Sequence, residues 1–373
     1  MKHDSGCALR VAIFFVVTAT LISGACGGVE QQAGAPPVER VLPADLVEKY
    51  RHYRESYRER HLYLGGTSEA RLDEETKSAV VEYRALGDNQ GWTGVSMAAF
   101  ALQGDWELVR GNFSYWDAVE LEPGKYERFP GVPDDYWSGE TSIDQYGKML
   151  MGLTAVYITG PRELRSRAAE ITLEMIRYGK AHGWVMGWGP WADCGHIRYL
   201  FHLMSERMGL GEDVRKEGES VEEMREEFYM TLKQAPLIRQ FAPGNYFTLN
   251  LFFERLITAK MLKPDLEGLD RAIGEWHRAV RKDGNALFDW FHARVFGKDT
   301  SFVVDELRKF PPELPNSWSA TGYNVDYRWT RRPETWKKHA EEGPPGGSIE
   351  YAGVDFMALA SFYSYFEVED FRR

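Results

Sequence analysis

From Ile143 to Tyr157 the chain reads IDQYGKMLMGLTAVY, apolar on nearly every face of a helix. It follows a polar, small-residue turn, WSGETS, from Trp137 to Ser142. A helix that is apolar all round is enclosed by other elements, so this stretch requires a fold with a helix at its centre. Gly147 and Gly152 remove side chains where neighbouring backbones would come close. Glu140, Asp144 and Gln145 crowd the helix start, which places polar groups at the mouth of an apolar interior.

The same signature, a polar turn and then an enclosed helix, recurs along the chain. Buried helices are predicted to start near residues 94, 142, 192, 246, 286 and 351. Between them lie one-sided apolar stripes: Leu164, Ala168, Ile171, Met175 and Tyr178; Val221, Met224, Phe228 and Leu232; Leu266, Leu269, Ile273, Trp276 and Val280. Such stripes mark half-exposed helices. Inner and outer helices alternating six times predict an all-α fold, an (α/α)6 toroid. No fixed short repeat is present, which argues against an open solenoid. Pro43 to Arg60 is predicted to be a leading helix. Gly104 to Gly139 is rich in turn residues and shows no outer helix, and Phe310 to Ser348 is a long loop of the kind that often carries function.

The N-terminus is read as a signal peptide over residues 1–25, with Lys2 and Arg10 ahead of an uncharged, mostly apolar run too short to span a bilayer. Its end, Ile22-Ser23-Gly24-Ala25-Cys26, resembles the lipobox of bacterial lipoproteins, with Ser23 where that family usually has Leu or Val. The resemblance implies lipidation at Cys26, an exported protein, and membrane contact only through that anchor. A flexible tether is expected over 26–41 and a single domain over 42–373. Cys194 is then alone in the folded part, so no internal disulfide is expected and stability rests on the core. The net charge of −11 leaves no basic footprint for nucleic acid. Phosphate-loop, zinc-protease, Cys-x-x-Cys and serine-elbow motifs are all missing from the sequence, so no cofactor and no metal is expected.

NQGWTGVSMAAFAL, GETSIDQYGKMLMGL, NYFTLNLFFERL, DGNALFDWFHA and YAGVDFMALASFY together resemble motifs of six-hairpin bacterial proteins, in order, over roughly residues 80–366. That superfamily includes glycoside hydrolases, polysaccharide lyases and many members of no known activity. The resemblance implies a carbohydrate partner, either a polysaccharide or an envelope glycan, met at one end of the toroid. The expectation is a glycoside hydrolase or polysaccharide lyase, with a non-catalytic glycan- or protein-binding surface lipoprotein as the alternative.

Glycoside hydrolysis requires two carboxylates flanking the scissile bond. Glu140 and Asp144 stand four apart at one helix start, so a partner from another hairpin is expected, with Asp193, Asp289 and Asp355 as candidates. Ser142-x-x-Gln145 also fits a capping box, and Asp144 complements a helix dipole, roles that compete with catalysis. Asp193 and His196, three apart, would form an acid–base pair if helical. Trp184, Trp188 and Trp191, spaced by glycines and a proline, suit stacking on sugar rings or plugging the toroid, and Trp92 and Trp137 stand at helix entrances. Asn245, Tyr246 and Asn250 on one inner helix, and Asn285 and His292 on the next, are polar groups that need partners or a ligand. A lyase would draw its base and carboxylate neutraliser from Tyr246, His292, Asn250 and Arg294. Arg328, Arg331 and Arg332 are a further, looser possibility for an acidic ligand.

Overall fold

The computed structural model describes residues 35–76, 78–84, 88–130, 141–187, 193–241, 246–310, 312, 316–317 and 349–371, with the backbone alone at 84, 246, 247, 316, 317 and 349. Glu140, Trp137, Trp188, Trp191, Asn245 and Cys26 lie outside the described residues, as do Arg328, Arg331 and Arg332.

The described chain is mostly helical. A short helix, α1 (Pro37–Val41), and a long one, α2 (Ala44–Arg60), open it. Val38 of α1 is buried and its N–H donates to Gln103 Oε1 at 2.8 Å. The tether expected over 26–41 therefore overlaps the fold at its last residues. The enclosed helices are α3 (Asn89–Gln103) and α5 (Ile143–Thr159), with α4 (Trp106–Val119) between them and α6 (Arg162–Ala181) after. Next come α7 (Arg198–Met208), α8 (Val221–Leu232), α9 (Ala235–Phe241), α10 (Tyr246–Leu262), α11 (Leu269–Val280), α12 (Ala286–Val295), α13 (Phe302–Lys309) and α14 (Val354–Val368).

Every residue of α3 is buried, and so is α5 from Ile143 to Val156. The two run parallel in backbone contact, because glycine removes the side chains between them. A Cβ on Gly94 would lie 2.4 Å from the Lys148 carbonyl oxygen, and one on Gly152 2.6 Å from the Gly94 carbonyl oxygen. Gly147 plays no such part, since the nearest atom to a Cβ there is Glu254 Oε2 at 4.0 Å. Around this pair, α14 packs on α3, α10 on α5 and α7, and α12 on α14; α4, α6, α8 and α11 back α3, α5, α7 and α10 respectively.

Two regions depart from expectation. Helix α4 occupies the stretch read as lacking an outer helix. Its turn-like Gly111 and Asn112 face the tight turn between strands β1 (Leu62–Tyr63) and β2 (Gly66–Thr67), where Asn112 Nδ2 donates to the Gly65 carbonyl at 2.9 Å. Strands also interrupt the helices. β3 (Glu69–Leu72) pairs with β4 (Val80–Arg84) and with β8 (Ile349–Glu350), which pairs with β7 (Asn316–Ser317), all antiparallel; β5 (Glu120–Glu122) and β6 (Lys125–Tyr126) form a separate hairpin. Glu350 of β8 is bound by Arg60 Nε at 2.6 Å and by His61 Nε2 at 3.0 Å, which ties the strand just ahead of α14 to the end of α2.

Among the described residues, no helix is long and apolar enough to cross a membrane.

Candidate functional site

Charged side chains inside an apolar helix pair must be compensated, because desolvating an ion costs several kcal/mol. Lys148, wholly buried on α5, is such a group. Its ammonium lies 3.9 Å from Asp144 Oδ2, one turn earlier, and 3.8 Å from Glu254 Oε1 on α10. It also stands 5.3 Å from the centre of the Trp92 ring, a cation–π distance. Trp92 is itself buried, so it walls the cation in.

The helix start at Ser142 does not form the expected capping box: the Ser142 side chain makes no cap bond. Instead its hydroxyl donates to Asp144 Oδ1 and accepts from Arg128 Nη2 at 2.5 Å. Gln145 likewise turns inward. Its Nε2 donates to Asp88 Oδ1 at 2.7 Å and to Asp144 Oδ2 at 2.8 Å, while its Oε1 accepts from the Gly91 N–H at 2.7 Å. Gly91 is required there, since a Cβ would lie 2.7 Å from both Gln145 Oε1 and Lys148 Cδ. Arg128 Nη1 completes the group by reaching Asp88 Oδ1 at 3.3 Å. The first turns of α3 and α5 thus share one polar network, to which α10 adds Glu254 through Lys148.

The three carboxyl groups are driven apart in acidity. Burial pushes Glu254 up to about 7, against the opposing pull of Lys148. Burial and the neighbouring Asp144 charge raise Asp88. For Asp144 burial also acts upward, yet Lys148, Arg128 and the bonds from Ser142 and Gln145 outweigh it and hold the group below the usual aspartate range. Near neutral pH the site accordingly holds one firmly ionised carboxylate and one carboxyl poised to carry a proton, the division on which acid–base pairs depend.

Asn250 Nδ2 donates to Glu254 Oε1 at 3.0 Å, whereas Glu254 Oε2 and Asn250 Oδ1 are buried with no hydrogen-bond partner among the described residues. Beside Glu254, Arg255 is 4% exposed and its guanidinium rests 5.5 Å from the Phe252 ring. His196, in the 3-10 turn Gly195–Ile197 ahead of α7, is half-buried. Burial and the nearby Arg255 charge lower it to about 3, so its ring is neutral. Cys194, fully buried, is pushed up by burial and remains a thiol.

Of the residues singled out in the sequence, Asp144, Gln145, Trp92 and Asn250 come together here, and His196 stands within electrostatic reach through Arg255. Others do not join them. Asp193 is exposed, lies outside any helix and accepts the Gly195 N–H at 2.7 Å, so the expected helical Asp193–His196 pair is not formed. Asn285 is the N-cap of α12, accepting from Leu287 and Phe288 N–H groups at 3.0 and 3.2 Å. His292 stacks on His277 between α12 and α11, ring centres 3.8 Å apart, and His277 Nε2 lies 2.7 Å from Asp289 Oδ1, away from the network. Arg294 donates to the Phe366 carbonyl at 2.8 Å. Asp355 is buried in the first turn of α14, where Oδ1 accepts the Phe356 N–H at 2.9 Å, and none of the bonds of Asp144 or Glu254 reaches it. Trp184 is buried against Phe201, ring centres 5.5 Å apart, and is core. For Tyr246 the backbone alone is described.

Asp88, Arg128, Lys148, Glu254 and Arg255 are site residues that the sequence reading passed over. The signal for three of them was present: a lone Lys in GKMLMGL and an adjacent Glu-Arg in FFERL are charges on helices otherwise apolar all round. Such residues are almost never fully buried unless paired. No group of three or more His, Cys, Asp or Glu among the described residues is arranged to hold a metal ion. No protein-family model matches the chain, and no curated protein matches it either.

Proposed function

We propose that this protein is an exported carbohydrate-active enzyme, lipid-anchored at Cys26, that hydrolyses a glycosidic bond at the mouth of an (α/α)6 ring. The observation that carries the reading is the pair Asp144 and Glu254, both close to the Lys148 ammonium, at 3.9 and 3.8 Å. That common neighbour sets an upper limit of about 8 Å on the separation of those two oxygens, which admits the spacing of a retaining or an inverting glycosidase pair. Glu254, pushed up to about 7, is the group to protonate the leaving oxygen. Asp144, held ionised, is the nucleophile or the base that activates water. Lys148 favours the ionised form of both carboxyls; they differ because Arg128 and the bonds from Ser142 and Gln145 act on Asp144 as well, whereas burial prevails at Glu254. The ring reading rests on the return of α14 to α3 and on the inner succession α3, α5, α7, α10, although α5 also touches α10 directly.

Near-complete burial of Asp144 and Glu254 favours a second reading, in which the polar network is a scaffold under a glycan-binding surface. One experiment separates the two. Purified protein is incubated with neutral and acidic polysaccharides, following reducing ends together with the absorbance of unsaturated uronates. Reducing ends without that absorbance, lost in Glu254→Gln and Asp144→Asn, are expected. Both signals together would replace hydrolysis by elimination, and binding without product would select the scaffold reading.

A further inference from the structure

Gly147 and Glu254 each carry a cost that the packing of the helices leaves unexplained, and they meet at one point. Glycine in a helix interior loses stability against alanine. Gly152, on the same helix, is forced by the Gly94 backbone, but no backbone approaches Gly147 in that way. Leaving its own turn and chain neighbours aside, a Cβ there would find only Glu254 Oε2 among the described residues, at 4.0 Å. Glu254 reaches this gap from α10 with its two oxygens unequally used. Oε1 accepts from Asn250 Nδ2 at 3.0 Å and lies 3.8 Å from the Lys148 ammonium. Oε2 is buried with no hydrogen-bond partner among the described residues. A buried polar atom left unpaired is costly, and uncommon in folded proteins. Asn250 thus holds one oxygen of the acid and leaves the other beside the bare turn of α5.

The chemistry of the gap selects what it takes. The charges that act on one another there match, Asp88, Asp144 and Glu254 against Arg128, Lys148 and Arg255, so none is left over for an ionic ligand. Glu254 is 1% exposed, so the group that reaches Oε2 is small. Held at about 7, Glu254 is present near neutral pH both as the acid and as the carboxylate. A hydroxyl donates and accepts, so it serves both forms, whereas an ammonium only donates and a carboxylate only accepts.

We infer that the gap between Gly147 and Glu254 Oε2 is a niche for one hydroxyl of an uncharged sugar, and that Gly147 is a specificity-determining position. This rests on the reading of the region as a glycan site and adds the turn of α5 and the oxygen of Glu254 that the sugar touches. A protonated carboxyl keeps acceptor capacity beside its O–H, so a hydroxyl bound at Oε2 leaves the proton of Glu254 available for transfer.

The test uses the full-length protein and the variants Gly147→Ala and Gly147→Ser. Without ligand, the introduced serine hydroxyl stands one bond beyond a Cβ at 4.0 Å from Oε2 and comes within hydrogen-bond range of it. Gly147→Ser is therefore expected to melt at or above Gly147→Ala, reversing the order of the two residues in helix propensity. With neutral oligomers of glucose, xylose and mannose as probes, calorimetry is expected to show that the wild type binds at least one. Gly147→Ser should weaken that binding about tenfold or more, the worth of one charge-assisted hydrogen bond. A melting temperature of Gly147→Ser clearly below that of Gly147→Ala overturns the inference, because Oε2 would then be out of reach from this turn. So does binding that Gly147→Ser leaves unchanged, which would mean that the niche takes no more than a water. If wild type and Gly147→Ser cleave neutral glycans equally well, the hydrolase stands and the niche falls. If sugars bind in a Gly147-dependent way without any product, the niche stands and hydrolysis falls. Binding of none of the probes removes both.

Discussion

Glu254→Gln isolates the property on which the site depends. The glutamine amide has nearly the shape of a protonated carboxyl, so at low pH the variant and the wild type present the same neutral group to Lys148. They part as pH rises. Glu254 is held at about 7 in the folded protein against 4.5 for the free side chain, chiefly by burial. The native state thus keeps a proton that the unfolded chain has already released, and stability must fall as pH climbs from the lower value to the higher. At about 1.4 kcal/mol per pH unit, the loss is on the order of 3 kcal/mol, complete just above neutrality. The attraction of Lys148 for the ionised form is already contained in that figure. Urea unfolding of both proteins at about pH 5, 7 and 9 measures it, read as the change in midpoint at constant slope. Glu254→Gln should match the wild type near pH 5 and exceed it by roughly 3 kcal/mol near pH 9. It should also lose turnover at every pH, while wild-type turnover declines on the alkaline side of neutrality as the acid loses its proton. Parallel stability curves for the two proteins would refute the argument, since they would mean that Glu254 is already ionised at low pH and that Lys148 fully compensates it.

Asp144→Asn removes one of the two oxygens that accept the Ser142 and Gln145 bonds, and the negative charge beside Lys148. Breaking a buried pair costs about 3–5 kcal/mol, so thermal denaturation should show a clear drop, and activity should be absent even where circular dichroism shows the variant folded. Gly152→Ala and Gly147→Ala form a contrasting pair on one helix. The first places a methyl 2.6 Å from the Gly94 carbonyl oxygen and should destabilise by several kcal/mol, whereas the second meets nothing nearer than Glu254 Oε2 at 4.0 Å and should be neutral or stabilising in urea. Glu350 behaves in the opposite sense to Glu254: His61 and Arg60 outweigh its burial and lower its pKa. Its contribution is therefore present above the ordinary carboxylate range and lost as pH falls through the lowered value. Glu350→Gln should melt lower than the wild type at neutral pH, with the gap closing in acid.

Helix existence was legible because burial writes itself into period. The six enclosed helices were expected near 94, 142, 192, 246, 286 and 351, and helices begin at Asn89, Ile143, Arg198, Tyr246, Ala286 and Val354. The misses have a common physical origin: residues whose usual local role was overridden by a distant contact. Gly111 and Asn112 are turn formers by propensity, but in α4 they admit the Gly65 backbone, and no local window contains Gly65. Ser142 and Gln145 match a capping signature, yet Arg128 and Asp88, far off in the chain, recruit them. Asp193 and His196 were paired on the assumption of a helix that starts only at Arg198.

The site itself was half legible for a related reason. Asp144 was found because it stands at a helix end, where polar residues are looked for. Lys148 and Glu254 stand deeper, on helices whose hydrophobicity classes them as core, and an average over an apolar window hides a single charge. Yet a charge in such a window is the informative residue, because the core cannot hold it without a partner. Reading α5 and α10 for their exceptions would have nominated Lys148, Glu254 and Arg255 together. It would not have shown that Lys148 is shared between two carboxyls, since that arrangement exists only once α10 lies against α5. The pairing of helices is what brings Lys148 within reach of both an ionised Asp144 and a Glu254 poised to carry a proton.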